Sequence, residues 1–135
     1  MDLVKAMTAS ASGLRAQSVR MRVISENIAN QNSMGDGPGD DPYRRKVVTF
    51  RNQMDRALGV NTVVAEKVQF DKSDFGLKYD PGNPAANTEG YVRTPNVSGL
   101  VEMMDFQQAQ RSYKANINAM EGSRKMTNMT IDLLR

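Results

Sequence analysis

The first thirty residues carry apolar side chains at alternating spacings of three and four. Two rows form one stripe: the first contains Met7, Leu14, Met21 and Ile28, and the second contains Leu3, Ser10, Gln17 and Ile24. This seven-residue repeat is typical of a helix that pairs with another helix. No proline interrupts the run, so the pattern predicts a helix over residues 1–30. Polar Ser10 and Gln17 weaken one row, and we expect the pairing to be loose.

The same repeat returns over residues 98–135. Its positions are Met103, Phe106, Gln110, Tyr113, Ile117, Met120, Arg124, Thr127, Ile131 and Leu134. Pro95 lies just before this run, and Asn96 or Ser98 is a suitable N-cap for a second helix. Additional apolar residues widen the stripe, namely Leu100, Val101, Met104, Met126, Met129 and Leu133. This width predicts that the second helix contacts more than one neighbour.

The residues between the helices have a different composition. Residues 30–41 contain Gly, Asn, Asp or Pro at nearly every position, which predicts a mobile connection. Residues 46–50 and 60–70 are rich in β-branched side chains and predict short strands. Residues 79–90 contain two prolines and predict an extended arm rather than a strand.

The predicted fold is therefore mainly α, with a small β or extended middle. We expect the N- and C-terminal helices, 1–30 and 98–135, to pair as an antiparallel coiled coil and to form one core domain. Residues 31–97 then form a loop-rich middle with short strands and the extended arm.

Composition excludes much of enzyme chemistry. The 135 residues include no His and no Cys, which removes imidazole bases, thiolate nucleophiles and the usual zinc ligands. The net charge of +3 is dispersed and lacks a basic face with interleaved aromatic residues, so we expect no nucleic-acid partner. No run is long and apolar enough for a membrane span or a cleavable signal peptide, and we expect neither.

Acidic residues are the remaining candidates for chemistry. Asp36, Asp40 and Asp41 lie in a Gly-rich loop of the kind that can bind Ca²⁺, but they lack the EF-hand spacing and its final Glu. Glu66 and Asp71 could act as acid and base only in a water-excluding pocket, which nothing in the sequence indicates. We expect no catalytic residue, no metal and no cofactor.

Three segments resemble the bacterial flagellar axial family, and within it the basal-body rod proteins. Residues 10–30 (SASGLRAQSVRMRVISENIAN) resemble the signature that ends in Asn-Ile-Ala-Asn. Residues 80–92 (DPGNPAANTEGYV) and 96–134, including AQRSYKAN, are similar to the later segments of rod proteins. The resemblance covers most of the chain and is weakest over 35–78; Ser98 and Gly99 depart from the family pattern at the start of the second helix.

This resemblance implies a structural subunit that is exported unfolded, without a cleavable signal peptide, by the flagellar type III export apparatus. It would polymerise with copies of itself and with other rod proteins into the periplasmic shaft that transmits torque. The side chains expected at the helix seam and subunit interface, called here the predicted seam, are Leu3, Met7, Leu14, Met21, Ile24, Ile28, Met103, Phe106, Tyr113, Ile117, Met120, Ile131 and Leu134.

Two other classes of function stay open on the residues alone. A cytosolic coiled-coil adaptor or export chaperone would use the same helices without forming a filament, and cell fractionation distinguishes it from an exported subunit. A small hydrolase would instead need a deep pocket that holds two close carboxylates.

Overall fold

Two long helices bracket four short strands in the computed structural model, which describes residues 3–133. The elements in chain order are α1 (Leu3–Ala29), β1 (Lys46–Asp55), β2 (Val60–Phe70), β3 (Gly76–Tyr79), β4 (Tyr91–Thr94) and α2 (Gly99–Asp132). The predicted architecture, two helices around a small β middle, is confirmed. Leu134 of the predicted seam lies outside the described residues.

Local hydrogen bonds explain where each helix stops or starts. Asn30 ends α1, since both its backbone N–H and its side-chain Nδ2 donate to the carbonyl of Glu26 at 3.1 and 2.8 Å. Ser98 occupies the N-cap position of α2, where its carbonyl accepts the N–H of Glu102 at 3.0 Å. The acidic side chain in the first turn of α2 suits the positive end of the helix dipole.

β1 and β2 form a two-stranded antiparallel hairpin. In its turn, Gly59 adopts φ +61° and donates its N–H to the carbonyl of Asp55 at 2.8 Å. The Asp55 carboxylate accepts from the N–H groups of Ala57 and Leu58, as aspartate commonly does in turns. β1 continues through polar residues 51–55, beyond the predicted 46–50, because pairing with β2 outweighs their weak strand preference.

β3 and β4 form a second antiparallel hairpin, with Gly76 opposite Thr94 and Tyr79 opposite Tyr91. The two tyrosine rings meet edge to face, with centroids 5.3 Å apart. Residues 79–90 are predicted to form an extended arm and not a strand; instead Tyr79 ends β3, and residues 80–90 form the loop between these strands. Asp80, Asn83, Asn87 and Gly90 take part in its internal backbone hydrogen bonds, and Gly90 adopts φ +83°.

The chain forms two compact units. Among the described residues, unit 1 contains 3–21, 48–67 and 107–133, and unit 2 contains 22–47 and 68–106. Apart from Pro42 and Pro95, six apolar residues are buried over residues 3–133: Ala16 and Ala109 in unit 1, and Val23, Ile24, Ala85 and Val92 in unit 2. Across the same residues, no helix is long and apolar enough to cross a membrane.

Candidate assembly site

In unit 1 the helices approach closely through small side chains. A Cβ at Gly13 would lie 2.8 Å from Nδ2 of Asn116, so a larger residue at this position would displace the Asn116 amide. Ala16 and Ala109 are 3% and 0% exposed, and Ser123 is also buried. Because the contact is made by residues with short side chains, each helix keeps its longer apolar residues for its other faces.

A groove in unit 1 lies between α1 and the β1–β2 hairpin and has a volume of about 1030 Å³. Its walls include Val4, Met7 and Val19 from α1 and Val64 from β2. Met120 of α2 also lines it, so the later part of α2 borders the same groove as the first half of α1. This placement, with the Gly13–Asn116 contact, is consistent with antiparallel helices in unit 1.

In unit 2 the helices contact each other through buried polar side chains. Asn27 and Glu102 are each 1% exposed, and Nδ2 of Asn27 donates to Oε2 of Glu102 at 3.0 Å. The same Nδ2 donates to the carbonyl of Lys46 at 2.8 Å. Oδ1 of Asn27 accepts from the Lys46 N–H at 2.9 Å and from the Tyr43 hydroxyl at 3.0 Å. Asn27 therefore has partners for both its oxygen and its nitrogen.

Arg45 neutralises the buried Glu102 carboxylate. Its Nε donates to Oε1 of Glu102 at 2.5 Å, and its guanidinium also lies 3.4 Å from Asp71 and 3.5 Å from Asp105. Burial by itself lowers the pKa of Arg45, but the hydrogen bond and charge of Glu102, followed by those of Asp71, raise that pKa above its ordinary value. The guanidinium thus stays charged beside three carboxylates.

The loops around this contact complete the polar network. Oδ1 of Asn96 accepts from the Arg45 N–H at 2.7 Å, which ties the segment before α2 to the segment before β1.

Hydrogen bonds from the backbone and hydroxyl of Ser73, followed by the hydrogen bond and charge of Arg45, lower the pKa of Asp71. Burial raises the pKa of Tyr43, against the positive charge of Lys46. Sliding either helix by one turn would leave Asn27 and Glu102 buried without these partners, so the network defines the helix register.

α2 exposes large apolar side chains near both of its ends. The exposed fractions are 74% for Leu100, 63% for Met104 and 86% for Leu133. The other exposed apolar residues of this region are Val101, Met103, Met126, Met129 and Ile131. Clusters of exposed apolar side chains on a soluble protein mark surfaces that bind other proteins.

The predicted seam residues occupy three kinds of position in the single chain. Ile24 is fully buried. Met103 and Ile131 are exposed, and the others within the described residues are half-buried: Leu3, Met7, Leu14, Met21, Ile28, Phe106, Tyr113, Ile117 and Met120. The structure brings Met7 and Met120 into one groove. The predicted seam stays a prediction for the assembled state.

Six of the seven buried helix residues lie outside the predicted seam, namely Ala16, Val23, Asn27, Glu102, Ala109 and Ser123. A signal for them exists. Glu102, Ala109, Asn116 and Ser123 also recur every seven residues. They form a row of small or polar side chains, and a pattern of large apolar residues does not include them.

The acidic residues considered for chemistry are held in ion pairs or lie at the surface. Asp41 pairs with Arg93 at 2.7 Å, Glu66 pairs with Arg51 at 3.3 Å, and Asp71 pairs with Arg45. Within the part of the chain that the structure describes, no group of three or more acidic side chains could hold a metal ion.

Comparison with known proteins gives matches over the whole fold. A family model described as "Flagella basal body rod protein" matches residues 7–38, and one described as "Flagellar basal body rod FlgEFG protein C-terminal" matches residues 88–133. The flagellar basal-body rod protein FlgC of Agrobacterium fabrum is 52% identical over 124 residues, which cover 92% of this chain and 89% of that protein.

FlgC of Salmonella typhimurium is 39% identical over 135 residues, covering 98% of each chain. FlgC of Bacillus subtilis is 36% identical over 148 residues, covering 98% of this chain and 99% of that protein. These matches extend through both helices and through the middle, where the sequence resemblance is weakest. None of the three relatives is named as an adaptor, an export chaperone or a hydrolase.

Proposed function

Because this chain belongs to the FlgC family of flagellar basal-body rod proteins and is a structural subunit of that rod, we propose that the outward faces of α1 and α2 carry its contacts with neighbouring subunits. The chain is a structural protein of the periplasmic rod and not an enzyme. Its neighbours are copies of itself and other rod proteins. The assembled shaft transmits torque through many shallow apolar contacts that act together.

One observation carries this proposal. α2 buries Glu102, Ala109 and Ser123 inside the chain, while Leu100 and Leu133 point into solvent with 74% and 86% of their surface exposed. An isolated globular protein gains stability from the opposite arrangement, because burying a leucine is worth about 1.5–3 kcal/mol. Partner subunits that cover these side chains would recover that free energy.

The two helices, 1–30 and 98–135, would act as one rod-core domain, with 31–97 as its loop-rich middle. In the rod, the half-buried residues of the predicted seam would complete a coiled coil with neighbouring helices. The alternating spacing of three and four residues supports this geometry. The contacts between the helices within one chain use a different row of residues, so the predicted seam, apart from the buried Ile24, stays available to partners.

We also propose that the chain passes through the flagellar export apparatus unfolded. The small number of buried apolar residues supports this, because helices depend on tertiary packing for most of their stability. A subunit with so small a core would unfold readily for export and would become fully stable only among its neighbours.

Placing a charge on the predicted seam tests the proposal. Ile28→Asp and Ile117→Asp, both at half-buried positions, should abolish incorporation into basal bodies and swimming, because an aspartate cannot be desolvated there without a partner. Ser18→Asp and Asn118→Asp place the same charge at exposed positions of the same helices and should swim normally. Secretion of all four variants into the periplasm separates an assembly defect from an export defect. Normal swimming with Ile28→Asp and Ile117→Asp would contradict the assignment of these faces.

A further inference from the structure

The last residues of α2, together with Leu133 directly after it, form what we call the end segment, residues 126–133. Met126, Met129, Ile131 and Leu133 are 56%, 56%, 52% and 86% exposed. Successive residues of a helix differ by about 100° in direction, so these four side chains occupy more than one side of the helix. A helix that is apolar on several sides is typical of a buried position, yet every residue from 128 to 133 is exposed in the single chain.

Most of the end segment has no described part of α1 beside it. In unit 1 Gly13 lies opposite Asn116, which is consistent with antiparallel helices. Ten residues before Gly13 is Leu3, the first described residue of α1, and ten residues after Asn116 is Met126. Beyond Met126, the end segment therefore lies opposite no described residue of α1, and its apolar side chains are exposed in the single chain.

The groove between α1 and the β1–β2 hairpin, called here the α1–hairpin groove, matches this segment in size. Its α1 wall runs from Val4 to Val19 and is about 22 Å long at 1.5 Å per residue, whereas the eight residues of the end segment span about 12 Å. Its apolar lining and its volume of about 1030 Å³ are sufficient to receive apolar side chains from one helical segment.

Charge also matches between the two surfaces. Arg15 and Arg56 line the groove together with one carboxylate, that of Asp55, which accepts the N–H groups of Ala57 and Leu58 in its own turn. Within residues 3–133 neither arginine forms an ion pair. The end segment contains Asp132, and no basic residue lies in the last turn of α2. The C-terminal end of a helix carries about half a negative charge, so Asp132 and the helix end together present negative charge to the two arginines.

We propose that the end segment of one copy inserts into the α1–hairpin groove of a second copy. This inference rests on the proposed function and names the partner of one outward face. An apolar segment that fits a groove elsewhere on the same molecule produces a head-to-tail contact, which leaves a free groove and a free segment at the two ends of any chain of copies. Such a contact generates an open array, as a rod requires.

A single contact of this kind is weak. A stable pairwise interface buries roughly 800 Å² on each partner, more than the side chains of two helical turns provide. The contact therefore forms only where other contacts of the rod already hold the copies side by side, and the subunit stays monomeric in dilute solution.

Disulfide trapping tests the contact, and the absence of native cysteine makes the result unambiguous. One version of the chain carries Met129→Cys and one epitope tag; a second carries Ala11→Cys, on the groove wall, and another tag. Both are produced in cells that lack the native subunit, and isolated basal bodies are oxidised. We expect a reducible dimer that carries both tags. In the control, the first version of the chain carries Asn118→Cys in place of Met129→Cys. Residue 118 is an exposed position of α2 outside the end segment, so we expect no mixed dimer.

The outcomes separate this inference from the proposed function. Swimming cells without a mixed dimer, with either Met129→Cys or Leu133→Cys, would overturn the contact and leave the rod assignment intact. A disulfide between the end segment and a different cysteine-bearing rod protein would also overturn it. Absence of the unsubstituted chain from basal bodies would instead refute the proposed function. If neither cysteine variant assembles into basal bodies, one copy with Asp132→Cys and a second copy with Arg15→Cys test the same contact through its charged residues.

Discussion

Glu102 organises the helix contact of unit 2 although it carries a charge. The side chain is 1% exposed and is held by Asn27 and Arg45. Removing a carboxylate from water costs several kcal/mol, which only such partners offset. Because Glu102 must face inward, its neighbours Val101 and Met103 face outward and remain 47% and 49% exposed. A single buried charge thus sets which side of α2 is available to partners.

Truncating this side chain should destabilise unit 2. Glu102→Ala leaves Asn27 without one acceptor and Arg45 without its closest carboxylate, and we expect the free energy of unfolding to fall by about 2–3 kcal/mol. Urea unfolding followed by circular dichroism measures the change. Glu121→Ala, the same substitution at an exposed position of α2, should change stability by less than about 0.5 kcal/mol. Equal effects of the two substitutions would show that the network contributes little.

At the scale of elements, glycine has opposite roles at two positions of the helix pair. Gly13 permits the close approach of α2, since a Cβ there would meet the Asn116 side chain. That side chain is held by a hydrogen bond from its Nδ2 to the carbonyl of Ser112 at 3.0 Å. Gly122 has open space around the direction of its missing Cβ, so it weakens α2 without serving the contact.

The same substitution at these glycines should therefore change stability in opposite directions. Gly122→Leu should raise the free energy of unfolding by about 0.5–1 kcal/mol, the difference in helix propensity. Gly13→Leu should lower it by about 1–3 kcal/mol through overpacking, despite the same gain in propensity. Thermal unfolding of both variants beside the parent chain provides the measurement. A stabilised Gly13→Leu variant would mean that the helices are farther apart than described.

At the scale of the whole molecule, few residues supply the stability of a single copy. Apart from prolines, six buried apolar residues among residues 3–133 form a small core, and five of them are alanine or valine. Gln17 Oε1 is buried without a hydrogen-bond partner in the described part of the chain, which opposes folding further. Much of the remaining stability must come from polar pairs, whose strength depends on pH.

Acid should weaken the fold partly through Asp71. Its folded-state pKa lies below the ordinary value of 3.8, so its contribution is present above that value and is lost as the pH falls through the folded pKa. At neutral pH, Asp71→Asn should be less stable than the parent by no more than about 1 kcal/mol, since the pair is partly exposed. Below pH 3.8 the difference should shrink.

Urea unfolding at several pH values measures this convergence. Asp74→Asn, at an exposed position without an ion pair among the described contacts, serves as the matched control. A difference between parent and Asp71→Asn that stays constant from neutral to acidic pH would show that Asp71 does not stabilise the fold through its charge.

The helices could be located from the sequence because helical periodicity is a local property. Alternating spacings of three and four residues, with a proline before the second run, placed both helices to within a few residues. The strands were harder to delimit. β1 extends through polar residues because its partner β2 supplies the backbone hydrogen bonds, and residues 80–90 fold back as a loop through side-chain and backbone bonds that proline content does not reveal.

The sequence by itself determined that both ends of the chain form helices, that imidazole and thiol chemistry are absent, and that α2 carries an excess of apolar residues. Only the tertiary structure decided which row of each helix packs inside the chain. Glu102 can face inward because Arg45, 57 positions away, supplies its counter-charge, and Gly13 leaves space for the Asn116 amide that lies opposite it. The seven-residue row that contains Glu102 and Asn116 does not reveal these partners, because the pairing depends on the path of the chain between them.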